Sequence, residues 1–167
     1  LYVCMEGTVG QNPDRYARVY LDTDHGQEAY AEEDDLALQI AIESAAQSSY
    51  RGTGVPDGYE EAPRPGWFAE TSADVVEVAE YAIPLDLTGG WCGADFGLAV
   101  YHHDVNDVAD YGWPSNEFYD QPETWESVAL ESPPCGEGNL AYVYRRDIVT
   151  AKDFKVMLES EGFSVDL

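Results

Sequence analysis

Apolar residues recur at period two through most of the first 130 residues. Leu36, Leu38, Ile40 and Ile42 alternate with small or polar positions, the pattern of a half-buried strand. Ala17–Asp22 and Phe96–His103 are compact apolar runs, and Leu1–Val9 opens the chain in the same way. Gln47–Gly52, Trp67–Thr71 and Thr124–Leu130 read as shorter strands. In Val75–Leu85 both alternating faces are largely apolar. Val76, Val78, Glu80 and Ala82 form one, and Val75, Glu77, Ala79, Tyr81 and Ile83 the other. β-Branched content and Pro84 favour a strand there over a helix. Thr53–Gly66 and Asp104–Glu123, rich in Pro, Gly and polar residues, read as loops. About eight short strands separated by turns, with no helix pattern among them, predict an all-β fold, an antiparallel β-sandwich of jelly-roll type, over residues 1–130.

The character changes after residue 130. Residues 131–139 (ESPPCGEGN) have the composition of a linker. Leu140–Arg145 reads as a strand, and Thr150 precedes a stretch in which Phe154, Met157 and Leu158 share one helical face, with Gly162 as a natural stop. Residues 140–167 thus predict a β-α-β segment too small to fold alone, which either packs on the sandwich or, the favoured reading, starts a second α/β domain. The chain opens without Met on an apolar strand, so further residues are expected to precede it.

Charge sharpens this picture. The formal net charge is −25, and residues 1–130 contain four arginines and no lysine. A field this negative argues against nucleic acid and anionic membrane as partners. It suits cations, neutral glycans or the solvated surface of a halophilic protein. Disorder does not follow, because 44% of residues are hydrophobic and 13% aromatic. No run is long enough to insert into a membrane.

The acids concentrate between two predicted strands, where Asp22, Asp24, Glu28, Glu32, Glu33, Asp34 and Asp35 occur without a basic residue. Carboxylates spaced i, i+2 at a strand end point to one side, and a second pair opens the partner strand. Such crowding favours a hard cation with oxygen ligands, which makes Asp22, Asp24, Asp34 and Asp35 candidate calcium ligands. Asp104 and Asp107 offer a second oxygen-rich cluster, although it lacks the glycine and closing glutamate of an EF-hand. Trp67, Trp91, Tyr111 and Trp113 lie in or beside loops and could stack on sugar rings, whereas Trp125 reads as core. His102 and His103 are adjacent on a strand and face opposite sides, so they cannot readily share one metal. Cys4, Cys92 and Cys135 allow three pairings. Cys92–Cys135 is the favoured disulfide, with Cys4 as a buried thiol. No nucleophile motif, phosphate loop or dinucleotide fingerprint occurs, and no catalytic role is expected.

Residues 1–130 also resemble the DOMON-like and family 9 carbohydrate-binding-module superfamily. The matching pieces are LYVCMEG at Leu1–Gly7, VYLDTDHG at Val19–Gly26, EDDLALQIAI at Glu33–Ile42 and GWFAE at Gly66–Glu70. They continue with VEVAEYAIPLDL at Val76–Leu87, FGLAVYHHD at Phe96–Asp104, GWPSN at Gly112–Asn116 and PETWESVAL at Pro122–Leu130. The resemblance implies a sandwich fold and an extracellular or cell-surface address, with carbohydrate, calcium or haem as ligands of relatives. The expectation is a calcium-stabilised, carbohydrate-binding module of a larger secreted protein. One alternative is a structural subunit that self-associates by strand exchange and calcium bridges. Another is a haem module using a histidine with Met5.

Overall fold

The computed structural model describes residues 1–7, 13–73, 76–84, 87, 95–103, 111–114 and 119–129. Ten strands form among them: β1 (Tyr2–Gly7), β2 (Tyr16–Asp22), β3 (Leu36–Ala41), β4 (Gln47–Gly52), β5 (Tyr59–Glu61), β6 (Phe68–Ala73), β7 (Glu77–Ala82), β8 (Asp95–His103), β9 (Tyr111–Trp113) and β10 (Glu126–Ala129). All pairings are antiparallel. One sheet has the order β1-β7-β6, and the other the order β10-β8-β2-β3-β4-β5. Strand β9 lies beside the Val100–His102 half of β8, on the edge whose Asp95–Leu98 half carries β10. The β-sandwich expected from the alternation is present. No helix among the described residues is long and apolar enough to cross a membrane.

The alternation decides which side chains meet. Ala17, Val19 and Leu21 of β2, with Leu36, Leu38 and Ile40 of β3, turn toward Val3, Ala69, Ala79, Tyr81 and Ile83 of the smaller sheet. The two sheets are also pinned by polar bonds. Tyr81 is fully buried and its hydroxyl donates to the Ala17 carbonyl at 2.7 Å. Gln47 Nε2 donates to Ala69 O at 3.2 Å, and Thr71 Oγ1 to Ile42 O at 3.1 Å.

Glu77 occupies the inward face of β7 with Ala79 and Tyr81, a charged residue in an apolar row. Its partner is Arg15, which is 2% exposed and donates from Nε to Glu77 Oε1 at 2.7 Å and from Nη2 to Glu43 at 2.9 Å. A buried carboxylate is tolerated there because a charge-assisted bond satisfies it.

Three local readings change. The two segments read as loops contain the three-residue strands β5 and β9, too short to show a period. Trp125 is buried as expected, but it precedes β10 and packs with Tyr20, Ala37 and Ala99 on the outer face of the large sheet. Cys4 is exposed rather than buried, because β1 turns Val3 inward and its neighbour outward. The predicted linker 131–139, the β-α-β segment 140–167, Cys92 and Cys135 lie outside the described residues.

Tyr81→Phe removes the inter-sheet bond while keeping the ring. It should lower the unfolding free energy by about 1 kcal/mol with an unchanged urea m-value. A stability equal to wild type would show that the bond contributes nothing net.

Candidate metal centre

The β2–β3 hairpin is in register up to the pair Leu21–Leu36, and Asp22 and Asp35 follow one step beyond on either strand. Alternation turns both carboxylates away from the leucines, to the face of Tyr20 and Ala37, and under the loop there each is 0% exposed. Gly97 of β8 lies opposite Asp22, and a Cβ there would meet Asp22 Cβ at 2.8 Å. Only glycine leaves that room.

The chain after Asp22 turns back on itself. Gly26 N donates to Asp22 Oδ1 at 3.1 Å and to Asp24 Oδ1 at 2.8 Å, and Gln27 N donates to Asp22 Oδ2 at 3.1 Å. The turn holds His25 and Gln27 at φ of 58° and 53°, a left-handed conformation unfavourable for non-glycine residues. It brings Glu28 back over Gly26, where a Cβ would lie 1.6 Å from Glu28 Oε1. At the other end, Thr23 Oγ1 donates to Asp34 O at 2.8 Å and Glu32 N donates to Asp35 Oδ2 at 2.7 Å.

Neighbouring segments latch the loop. Ala31 N donates to Asp120 O at 2.9 Å, Gly54 N to Ala31 O at 2.7 Å, and Glu123 N to Glu28 O at 3.2 Å. Asp120 Oδ2 in turn accepts from Asp57 N at 2.8 Å.

Two overlapping groups of carboxylates result, Asp22–Asp34–Asp35 and Asp22–Asp24–Glu28. Within each, one oxygen per residue lies within 4.8 Å of the others. Oxygens bound to a single calcium at 2.3–2.6 Å can be no more than roughly 5 Å apart, so either spacing fits one ion. The deciding feature is polar satisfaction. Glu28 Oε2, Asp34 Oδ2 and Asp35 Oδ1 are buried and accept no hydrogen bond from the described residues. Buried acceptors are nearly always met, so three together in one loop require an explanation.

Electrostatics gives the same result. Burial pushes the Asp35 carboxyl up to about 8, with Asp22, Asp34 and Glu28 adding to the rise. Asp34 and Glu28 are raised too, first by burial and then by the carboxylates around them. The loop offers an all-oxygen, strongly anionic donor set, which suits calcium better than the soft or nitrogen-preferring metals.

The sequence-selected ligands Asp22, Asp24, Asp34 and Asp35 thus meet in space, and Glu28 joins them. Glu28 was visible only as one acid in a run, because the turn that recruits it is built on His25 and Gln27 and carries no glycine at the strained positions. Asp104, Asp107 and Trp91 lie outside the described residues. Tyr111 falls on β9. Trp67 stacks on Tyr81 with ring centres 6.1 Å apart, and both Trp67 and Trp113 pack half-buried against the main core. His102 and His103 do face opposite sides. His103 stacks on Tyr16 at 4.8 Å, whereas His102 Nε2 lies 3.6 Å from Glu77 Oε2. A cleft of about 220 Å³ there is lined by Met5, Glu77 and His102. No protein-family model matches the chain, and comparison with curated proteins finds no similar sequence.

The Asp35 shift fixes a pH dependence. Its folded-state pKa of about 8 exceeds the ordinary 3.8, so its stabilising contribution is complete below 3.8 and is lost as pH rises through 8. Without calcium, the Tm of wild type should therefore fall more steeply than that of Asp35→Asn across this window. Parallel profiles would show that Asp35 ionises freely in the folded chain.

Proposed function

We propose that this chain is a non-catalytic β-sandwich module of an extracellular protein, with its β2–β3 loop fixed by one calcium ion, and that it binds carbohydrate. The observation that carries the calcium reading is the set of three buried, unpartnered carboxylate oxygens on Glu28, Asp34 and Asp35. A cation would satisfy them together and relieve the repulsion that otherwise holds protons on the loop. Asp22, shared by both carboxylate groups, is the natural centre of the ligand set. Carbohydrate and the extracellular address rest on the resemblance of residues 1–130 to DOMON-like modules.

A haem module draws on a separate observation, the shared cleft of Met5 and His102. Two features weigh against it. At about 220 Å³ the cleft is smaller than the roughly 300 Å³ at which cofactor sites begin. Moreover, His102 Nε2 is aimed at the Glu77 carboxylate, which Arg15 holds in place. A Soret band on adding haemin would restore that alternative.

Binding to the folded state alone raises stability by mass action. Calcium at a hundred times its Kd should raise Tm by roughly 5–10 °C over the chelated protein, at both low and high sodium chloride. Equal stabilisation by sodium chloride with chelator present would reduce the loop to a generic acidic surface.

A further inference from the structure

The outer face of the large sheet carries a second constellation that the acidic loop does not use. Strand pairing places Arg18 between Tyr101 of β8 and Gln39 of β3, and Tyr16 beside His103. Tyr50 of β4 joins from the other side, across Ala37. One end of this face is closed: Trp125 and Tyr59 pack over Tyr20 with ring centres 5.5 and 5.9 Å away. Beyond it Tyr16, Arg18, Gln39, Tyr50, Tyr101 and His103 are half-buried.

Arg18 is the centre of the open part. Its guanidinium carbon lies 4.8 Å from the ring centre of Tyr16, 5.7 Å from Tyr20 and 5.1 Å from Tyr50. Nε donates to Gln39 Oε1 at 3.0 Å, Nη2 donates to the same oxygen, and Nη1 donates to the Tyr20 hydroxyl at 3.2 Å. One proton on each of Nη1 and Nη2 is left over. No carboxylate among the described residues pairs with Arg18, whereas glutamates meet both Arg15 and Arg51. In a chain with 33 acidic residues and only 8 Lys and Arg, this patch is a local reversal of charge.

A forked pair of donors matches a carboxylate, and flat tyrosine rings beside it match the apolar faces of sugars. We propose that this face binds an oligosaccharide that bears a carboxylate, a uronate sugar, with the acid group on Arg18 and a sugar ring face on Tyr50. The inference rests on the carbohydrate-binding reading and deepens it by naming the site and the sugar class. The chain's overall negative field does not forbid it, because at physiological salt charges beyond about 8 Å are largely screened.

The test screens the folded protein on an array of neutral and uronate-bearing oligosaccharides, then titrates trigalacturonate and its methyl ester by calorimetry. The acid should bind at least about tenfold tighter than the ester, the order of one good charge-assisted contact. Arg18→Gln should abolish that preference, and Tyr50→Ala should weaken acid and ester alike. Retention of the wild-type Tm confirms that each variant is folded, and two variants at separate positions guard against loss of either. Equal binding of acid and ester, or acid binding indifferent to both variants, overturns the proposal. Binding of neutral glycans alone, untouched by either variant, overturns this site while leaving carbohydrate binding in place. No glycan retained anywhere on the array removes both.

Discussion

Like charges forced into one buried loop are the constraint on which this molecule turns. Asp22 and Asp35 cannot move to water without slipping the β2–β3 register, and a one-residue slip would turn Leu21, Leu36, Leu38 and Ile40 out of the core. The hydrophobic pattern and the acidic cluster are therefore one feature. The register that turns the leucines inward sets both aspartates on the other face, beneath the loop, and the turn at His25–Gln27 folds Glu28 onto the same spot.

The rest of the fold supports that loop. Gly97 makes room for Asp22, the segment around Asp120 latches the loop backbone, and the end of β4 and the turn after it hold it through Gly52 and Gly54. Gly52 N donates to Asp35 O at 3.0 Å, and a Cβ on Gly52 would collide with the Ala31 carbonyl carbon at 2.3 Å. On the opposite side of the sandwich a different buried charge, Glu77, is resolved internally by Arg15. The contrast is informative. One buried acid has a protein cation, whereas Asp22, Glu28, Asp34 and Asp35 pair with none among the described residues.

How much of this was legible in the sequence follows from the range of each interaction. Period-two alternation in Leu36–Ile42 and in Glu77–Ile83 fixes strand and face locally, so the sandwich and its inner rows could be read directly. Asp22, Asp24, Asp34 and Asp35 were legible because they sit at strand ends, where direction follows from the pleat. Glu28 was not, since its recruitment depends on left-handed backbone at His25 and Gln27, which those residue types do not signal. The Arg18 platform was also hidden. It forms only when β8 lies against β2, joining Tyr101 and His103 to residues far earlier in the chain. Trp67 and Trp113 were selected for their glycine and proline neighbours, yet both pack against the core. Flanking composition reports a turn, not where an indole comes to rest.

The most direct test of the proposed calcium centre is calorimetric titration of metal-stripped protein with calcium in about 1 M sodium chloride, where the screening length falls to about 3 Å. A coordination site built from buried carboxylates should saturate at a single ion per chain and survive the salt. Heat that vanishes with sodium chloride, or uptake that rises without a defined stoichiometry, would contradict it.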